Sequence, residues 1–333
     1  MLMTGILAGS FNQYEGMSKE KEDGNKATGV VQAGEYKITY AFVSQRGHYP
    51  DQPFKANQDA VLVKPDLIGS GDHHLFAVFD GHGECGAETA FFCKSKLPQI
   101  MAEDAAALRA DPPAAIHGAL LKVNAQLHES LFDDSLSGTT ACVVYVNGSE
   151  LVVSNVGDSR CVLAVRNGGG VTAKELSWDQ TPFVDSEVER VQQAGARVLT
   201  LAQMEGDKPL GKIWTNEMEC DGDPPRLWVK DGYYPGTAFT RSLGDSIAKS
   251  IGVTAESEHV VHKLGGDDAF VVLATDGVWE FISSQRAVEM VDKHGDNLMG
   301  AAADLCAESY RLWLTEEKRT DDITVCVMKF SRQ

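Results

Sequence analysis

Five short acidic segments hold the chemistry that can be read from this chain. They are Asn57-Gln58-Asp59, Phe79-Asp80-Gly81-His82-Gly83, Gly157-Asp158-Ser159-Arg160, Ala274-Thr275-Asp276-Gly277 and Thr320-Asp321-Asp322. Several of them adjoin an apolar run that reads as a buried strand, so their carboxylates belong where strands end. Carboxylates gathered from distant strand ends, with no cationic cluster to pair them, repel one another unless a cation sits between them. Hard oxygen donors favour Mg2+ or Mn2+ over zinc, which prefers His and Cys. A metal pair lowers the pKa of bound water and clamps attacking and leaving oxygens, so the chain reads as a metal-dependent hydrolase. In Phe-Asp-Gly-His-Gly, Asp80 is placed to bridge two cations, and Gly81 leaves its carbonyl free to approach one. His82, between glycines, is accessible and suits general-acid work beside such a pair. Each segment alone reads equally well as a turn or a helix cap, and His82 alone as a surface histidine. The adjacent acids Asp321-Asp322 gain nothing before an apolar strand without a cation. His73-His74 read as loop residues, with no zinc spacing to other histidines.

Strands must position these groups. Tyr36–Val43, Ala60–Val63 and Leu75–Phe79 are rich in β-formers, and the last runs directly into Asp80. Helices follow at roughly 84–103 and 113–132, the second from the helical spacing of Ile116, Leu120, Val123, Leu127 and Leu131. Ala141–Val146, Leu151–Val156 and Cys161–Val165 form a strand series, and Asn147-Gly148 is a hairpin signal, so the sheet is antiparallel. Asp185 to Gly195 reads as a short helix with Asp185 as N-cap and Gly195 as its stop. Residues of about 200–235 break the rhythm and read as a long functional loop. There, Trp214 and Trp228 either pin the loop to the domain or form a peptide-docking surface. A strand at Ala269–Ala274, a helical region at 284–317 and a last strand at Ile323–Met328 complete the pattern. The fold class expected is α+β: a central β-sandwich of two antiparallel sheets flanked by helices. Residues 1–34, polar and with the mixed-charge run Lys19-Glu20-Lys21-Glu22-Asp23, read as a flexible N-terminal extension to a catalytic domain at 35–333.

Composition narrows the function. The chain has 333 residues and a formal net charge of −18, which argues against an electrostatic nucleic-acid binder. A metal nuclease fits the acidic site but conflicts with that charge. Seven cysteines without a CxxC pair, three of them (Cys142, Cys161 and Cys326) inside apolar runs, suggest reduced core thiols. No apolar stretch reaches membrane-spanning length, and the opening residues lack the basic flank of a secretion signal. The reading is a soluble intracellular monomer, cytoplasmic and/or nuclear.

Six motifs then appear in family order: Phe-Asp-Gly-His-Gly, Ser137-Gly138-Thr139-Thr140-Ala141, Asn155-Val156-Gly157-Asp158-Ser159-Arg160, Thr240-Arg241-Ser242-Leu243-Gly244-Asp245, Ala274-Thr275-Asp276-Gly277-Val278-Trp279 and Asp321-Asp322-Ile323-Thr324-Val325. From about residue 36 to its end the chain resembles protein phosphatase 2C, the metal-dependent protein phosphatases. The resemblance implies hydrolysis of phosphoserine and phosphothreonine in phosphoprotein substrates, by in-line attack of a water held between two Mg2+ or Mn2+ ions, with a third, weaker ion. Asp80 matches the bridging carboxylate and Gly81 the carbonyl ligand. Asp276 and Asp321 match the other aspartates at one metal, Asp59 the acid beside the second, Asp158 the acid of the weaker third and His82 the general acid. Thr140 lies in a segment placed near the site, and residues 200–235 correspond to a flap. There are departures. Gln58 stands where Glu is common, Phe54 replaces the usual phosphate-binding arginine, Glu280 stands for Asp and Gln180 for His. Lys55 or Arg46 is left to supply the missing charge, without an arginine fork in the case of Lys55. Gln58 and Phe54 favour the alternative, a weak or inactive phosphatase-fold binding module; the retained Asp80, Asp276 and Asp321 favour the enzyme.

Overall fold

Apolar runs too continuous to leave a wet face build the centre of the molecule. The computed structural model describes residues 25–212, 214, 220 and 222–333. One sheet runs β1 (Lys26–Ala33), β2 (Tyr36–Gln45), β16 (Ile323–Arg332), β15 (Asp268–Ala274), β8 (Arg160–Arg166) and β9 (Val171–Glu175). The other runs β13 (Leu243–Gly244), β5 (Gly138–Thr139), β4 (His73–His82), β6 (Ala141–Asn147), β7 (Glu150–Val156) and β14 (Glu258–Lys263), with β3 (Asp59–Lys64) paired to β4. Every strand pairing in both sheets is antiparallel. Ile38, Phe42, Phe76, Val144, Leu273 and Met328 interlock between the sheets, with Cys142, Cys161 and Cys326 among them.

Helices cover both outer faces, so the central strands are buried on each side. On one, α1 (Gly86–Glu103), the short α2 (Ala105–Ala110) and α3 (Pro112–His128) pack Leu97, Leu108, Leu120 and Leu127 against Leu75, Phe79 and Tyr145. Asp111 starts α3 by accepting from the Ala114 amide at 3.2 Å, with Pro112 in the first turn, where its missing N–H costs nothing. The helix stops at His128 rather than near 132. The His128 ring pairs with Asp134 and Asp133 accepts from Ser135 N at 2.9 Å, turning the chain away and leaving Leu131 fully exposed. After the short helices α6 (Ser246–Lys249) and α7 (Asp276–Trp279), α8 (Ser284–Asp292) and α9 (Leu298–Glu316) lie on the other face and bury Val288, Val291, Leu305 and Trp313.

Other expectations need correction. The lysine-to-alanine stretch Lys26–Ala33, assigned to the extension, is strand β1 and pairs along its whole length with β2; its alternation is faint in the sequence because only Val31 and Ala33 are buried. The remainder of the extension, up to residue 24, lies outside the described residues. His73 and His74 open β4 and are buried, with His73 Nδ1 against Tyr145 Oη and His74 Nε2 at 2.7 Å from Gln32 O. Asp185 is the first residue of α4 (Asp185–Gln193), not its cap; Val184 occupies the cap position, without a side-chain bond.

The segment after residue 195 is not one loop. β10 (Arg197–Leu199), β11 (Arg226–Trp228) and β12 (Pro235–Thr237) form a small sheet, with α5 (Leu201–Glu205) started by a Thr200–Gln203 capping box. Trp214 and Trp228 are buried, and their indole N–H groups donate to Pro182 O at 3.2 Å and Leu199 O at 2.8 Å. They pin the segment to the domain. Positions 213, 215–219 and 221 of this flap-like stretch lie outside the described residues.

Candidate active site

Strand register brings the acidic segments together. Antiparallel pairing of β3 with β4 sets Asp59 directly opposite Asp80. In the other sheet Ala274, the last residue of β15, faces both Val325 of β16 and Arg160 of β8. Asp276, Asp321 and Asp158, each within a few residues of those positions, therefore leave that sheet at a single edge. A cleft of about 200 Å3 opens between the two sheets at this end, lined by Lys55, Gln58, Asp80, Gly81, His82, Asp158, Phe239, Asp276 and Asp321, with Gly83 and Thr140. That is room for a tetrahedral anion and a few waters at roughly 30 Å3 per water. A larger groove, about 650 Å3, lies between α8 and α9, but its lining mixes Glu289, Asp304 and Glu308 with Arg286, Lys293 and Arg311, and Arg286 and Arg311 are paired with Glu308.

Among the acidic sequence candidates, Asp59 is the one that does not line the cleft. It lies behind Asp80, where the Thr275 hydroxyl donates to its Oδ2 at 2.9 Å. Its Oδ1 is buried without a hydrogen-bond partner, and so is Oδ1 of Asp276. Burial raises the pKa of Asp59, with the Asp322 charge next in weight. Burial also raises Asp80 well above the carboxylate range, helped by Asp276 and Asp59. Asp158 is raised by burial and then by Asp276. Burial and the Asp321 charge push Asp276 up to about 7.

Among the described residues no three His, Cys, Asp or Glu side chains close around one point as they stand. Asp276 instead lies close enough to Asp80 for its charge to raise that carboxyl. Two carboxylates in that relation require a shared proton or a cation between them. The mutual repulsion decides more here than the lack of a closed shell, because orphaned buried oxygens and all-oxygen donors fit a hard divalent cation.

Neighbouring groups hold the carboxylates in place. Tyr49 Oη donates to Asp321 Oδ1 at 2.7 Å, and the Lys55 ammonium lies 3.8 Å above the Tyr49 ring. Asp322 accepts from Gly47 N at 2.7 Å and Gln58 N at 2.8 Å, tying both loops to β16. Thr140 Oγ1 accepts from Asp80 N at 3.0 Å and meets Ser159 Oγ at 2.7 Å. Gly81 is required by close approach, since a Cβ there would lie 2.1 Å from Gly86 O. Arg46 is committed elsewhere: its guanidinium donates to Lys55 O at 2.5 Å and Pro53 O at 2.8 Å, bracing the loop, so Lys55 is the cation that reaches the cleft. Phe54 is 97% exposed beside it. Gln180 is buried and structural, its Oε1 accepting from Gly157 N at 2.7 Å.

Sequence reading passed over Asp245, Phe239 and Tyr49 as site residues, and named Asp322 only for its charge beside Asp321. Asp245 Oδ2 lies 2.7 Å from His82 Nε2, and the Phe239 ring packs at 4.5 Å from the imidazole. Asp245 closes the Thr240–Asp245 motif, which was the available signal. Phe239 and Tyr49 are isolated aromatics that no spacing marks.

Three comparisons bear on this arrangement. A family model described as protein phosphatase 2C matches residues 52–315. The chain is 47% identical over 321 residues to "Probable protein phosphatase 2C 35" of Arabidopsis thaliana, covering 96% of this chain and 92% of that protein. It is 35% identical over 285 residues to "Probable protein phosphatase 2C 64" of Oryza sativa subsp. japonica, covering 81% of this chain and 62% of that one. In fold it is similar to the crystal structure of a serine-threonine phosphatase 2C from Toxoplasma gondii, with a TM-score of 0.69 at 18% identity, over 92% of this chain and 99% of that one.

Proposed function

This chain belongs to the protein phosphatase 2C family, and we propose that its cleft hydrolyses phosphoserine and phosphothreonine in phosphoproteins with the help of bound Mg2+ or Mn2+. The observation that carries the metal dependence is the set of converging aspartates with buried, orphaned oxygens on Asp59 and Asp276. Asp80, Gly81 (through its carbonyl), Asp276 and Asp321 would hold two ions with Asp59 behind them, and Asp158 would hold a third, weaker one. When bound, such ions lower the pKa of a water and neutralise the charge of a phosphoryl group.

The chain's own residues do the rest. Lys55, steadied over Tyr49, offers the phosphoryl oxygens a point charge where an arginine fork would otherwise sit. As a water oxygen bonds to phosphorus in line, the P–O bond to the substrate breaks, and His82 gives a proton to the departing serine or threonine oxygen. The catalytic unit in this reading spans residues 26–333, since β1 is part of the sandwich, and acts as a monomer in the cytoplasm and/or nucleus. No helix among the described residues is long and apolar enough to cross a membrane.

Phosphate release from a phosphothreonine peptide, followed with added Mn2+ or Mg2+ and with excess EDTA, tests the proposal. Turnover that appears with metal and disappears with EDTA is the expected result. Turnover indifferent to EDTA would remove the metal dependence, and folded protein inert with either metal would leave a binding module.

A further inference from the structure

We infer that Asp245 is the positioning residue of His82, a buried carboxylate that fixes which imidazole nitrogen faces the cleft; the inference rests on the phosphatase reading only for the use made of that nitrogen. A short ladder of three strands sets the geometry. His82 of β4 pairs with Gly138 of β5, and Gly138 pairs with Gly244 of β13. Asp245 is the next residue, and its carboxylate turns back across the ladder to the imidazole, 163 positions away in sequence. The side chain is 1% exposed against 26% for the histidine, so the carboxylate sits behind the ring and the ring stands between it and the cleft.

The carboxylate is itself immobilised. Ser242 Oγ donates to the same Oδ2 at 2.6 Å, and the half-buried Lys249 ammonium donates to Ser242 O at 2.5 Å. Asp245 N donates to Ser137 O at 2.9 Å, while the residue adopts φ +55°, a left-handed conformation that Asp and Asn tolerate better than other side chains. Gly138 leaves the space that Asp245 occupies, for a Cβ there would lie 2.1 Å from Oδ2. Phe239 packs against the imidazole. None of these contacts reaches an aspartate of the acidic cluster.

A buried carboxylate accepts and cannot donate when ionised, so His82 Nε2 carries the hydrogen of this bond. Nδ1 is then the nitrogen left for the substrate, and the ring cannot flip without stranding a buried charge. A ring displaced by about 1 Å in a reacting complex costs on the order of 100-fold in rate.

Asp245→Asn is the informative variant, because Asn keeps the left-handed backbone and nearly the shape. With metal present, its turnover of a phosphothreonine peptide should fall about 100-fold, the scale of a lost general acid. Turnover of p-nitrophenyl phosphate, whose leaving group needs little protonation, should fall by less than about threefold. The double variant His82→Ala/Asp245→Asn should be no slower on the peptide than His82→Ala alone. Histidine-ring 15N spectra, with the His82 signal identified by its loss in His82→Ala, should show a protonated Nε2 in the wild type and loss of that tautomer preference in Asp245→Asn. Equal losses on both substrates, or a double variant slower by the product of the two singles, would reduce Asp245 to a structural role and overturn the inference. An unchanged ring spectrum in Asp245→Asn would overturn it too. The spectra need no turnover, so an inactive wild type would sink the phosphatase reading while leaving the positioning to be decided by the ring signals.

Discussion

Gln58 is buried at the base of the cleft, where its side-chain amide donates to Gly83 O at 2.7 Å and its backbone N–H to Asp322 at 2.8 Å. A carboxylate at this position would add charge to a site already crowded with it and would face the Gly83 carbonyl with no hydrogen to give. Gln58→Glu should therefore destabilise the metal-free protein by about 1–3 kcal/mol, the cost of an unpaired buried polar group. Metal should restore the loss, because the new oxygen is a better ligand than an amide. Thermal melts of both proteins in EDTA and in Mn2+ check this; a variant destabilised equally in both would show that the carboxylate never meets a cation. At this scale the sequence was informative about identity and less so about partnership. Asp80, Asp158, Asp276 and Asp321 were readable because each flanks an apolar strand. Asp245 and Tyr49 were not, since their partners lie 163 and 272 positions away and no local pattern encodes such contacts.

Elements transmit these placements. The central strands were legible because both of their faces are covered and their apolar runs are unbroken, whereas β10, β11 and β12 are three residues each, too short for any periodicity. The flap-like sheet is tied to the sandwich through α4, where Glu187 accepts from Arg241 Nη2 at 2.7 Å, Arg190 Nη2 at 2.6 Å and Thr240 Oγ1 at 2.5 Å. Burial alone would raise the Glu187 carboxyl, but the Arg241 and Arg190 bonds win and hold it down to about 2. A carboxyl whose folded pKa lies below its unfolded value leaves the folded state with fewer protons, so stability falls as pH drops. The contribution of this cluster should be fully present above pH 4.5, the ordinary value for the group, and lost by about pH 2. Unfolding of wild type and Glu187→Gln compared across that range should show a gap that narrows with acid. A gap independent of pH would mean that the ion pairs are not its source.

At the scale of the whole molecule, two sheets of different parentage present their acids at one end of the sandwich: Asp59 and Asp80 from one, Asp158, Asp276 and Asp321 from the other. The excess of acid recorded in the net charge of −18 is thus concentrated into a site as well as spread over a surface. Divalent cations between the sheets would invert the local field and make an anionic substrate welcome there. The arrangement of layers followed from hydrophobic pattern; which strand ends meet did not, because register is a tertiary property. The most direct measurement compares phosphate release by the wild type and by Asp80→Asn at saturating Mn2+, each shown to be folded by its melting curve. Asp80 joins the two sheets' acids through Asp59 on one side and Asp276 on the other. Its neutralisation should reduce turnover by at least about 1,000-fold, consistent with the several kcal/mol that metal ions supply to such transition states. Turnover within tenfold of wild type, on the order of 1.4 kcal/mol, would contradict the assignment of this cleft as the metal-dependent active site.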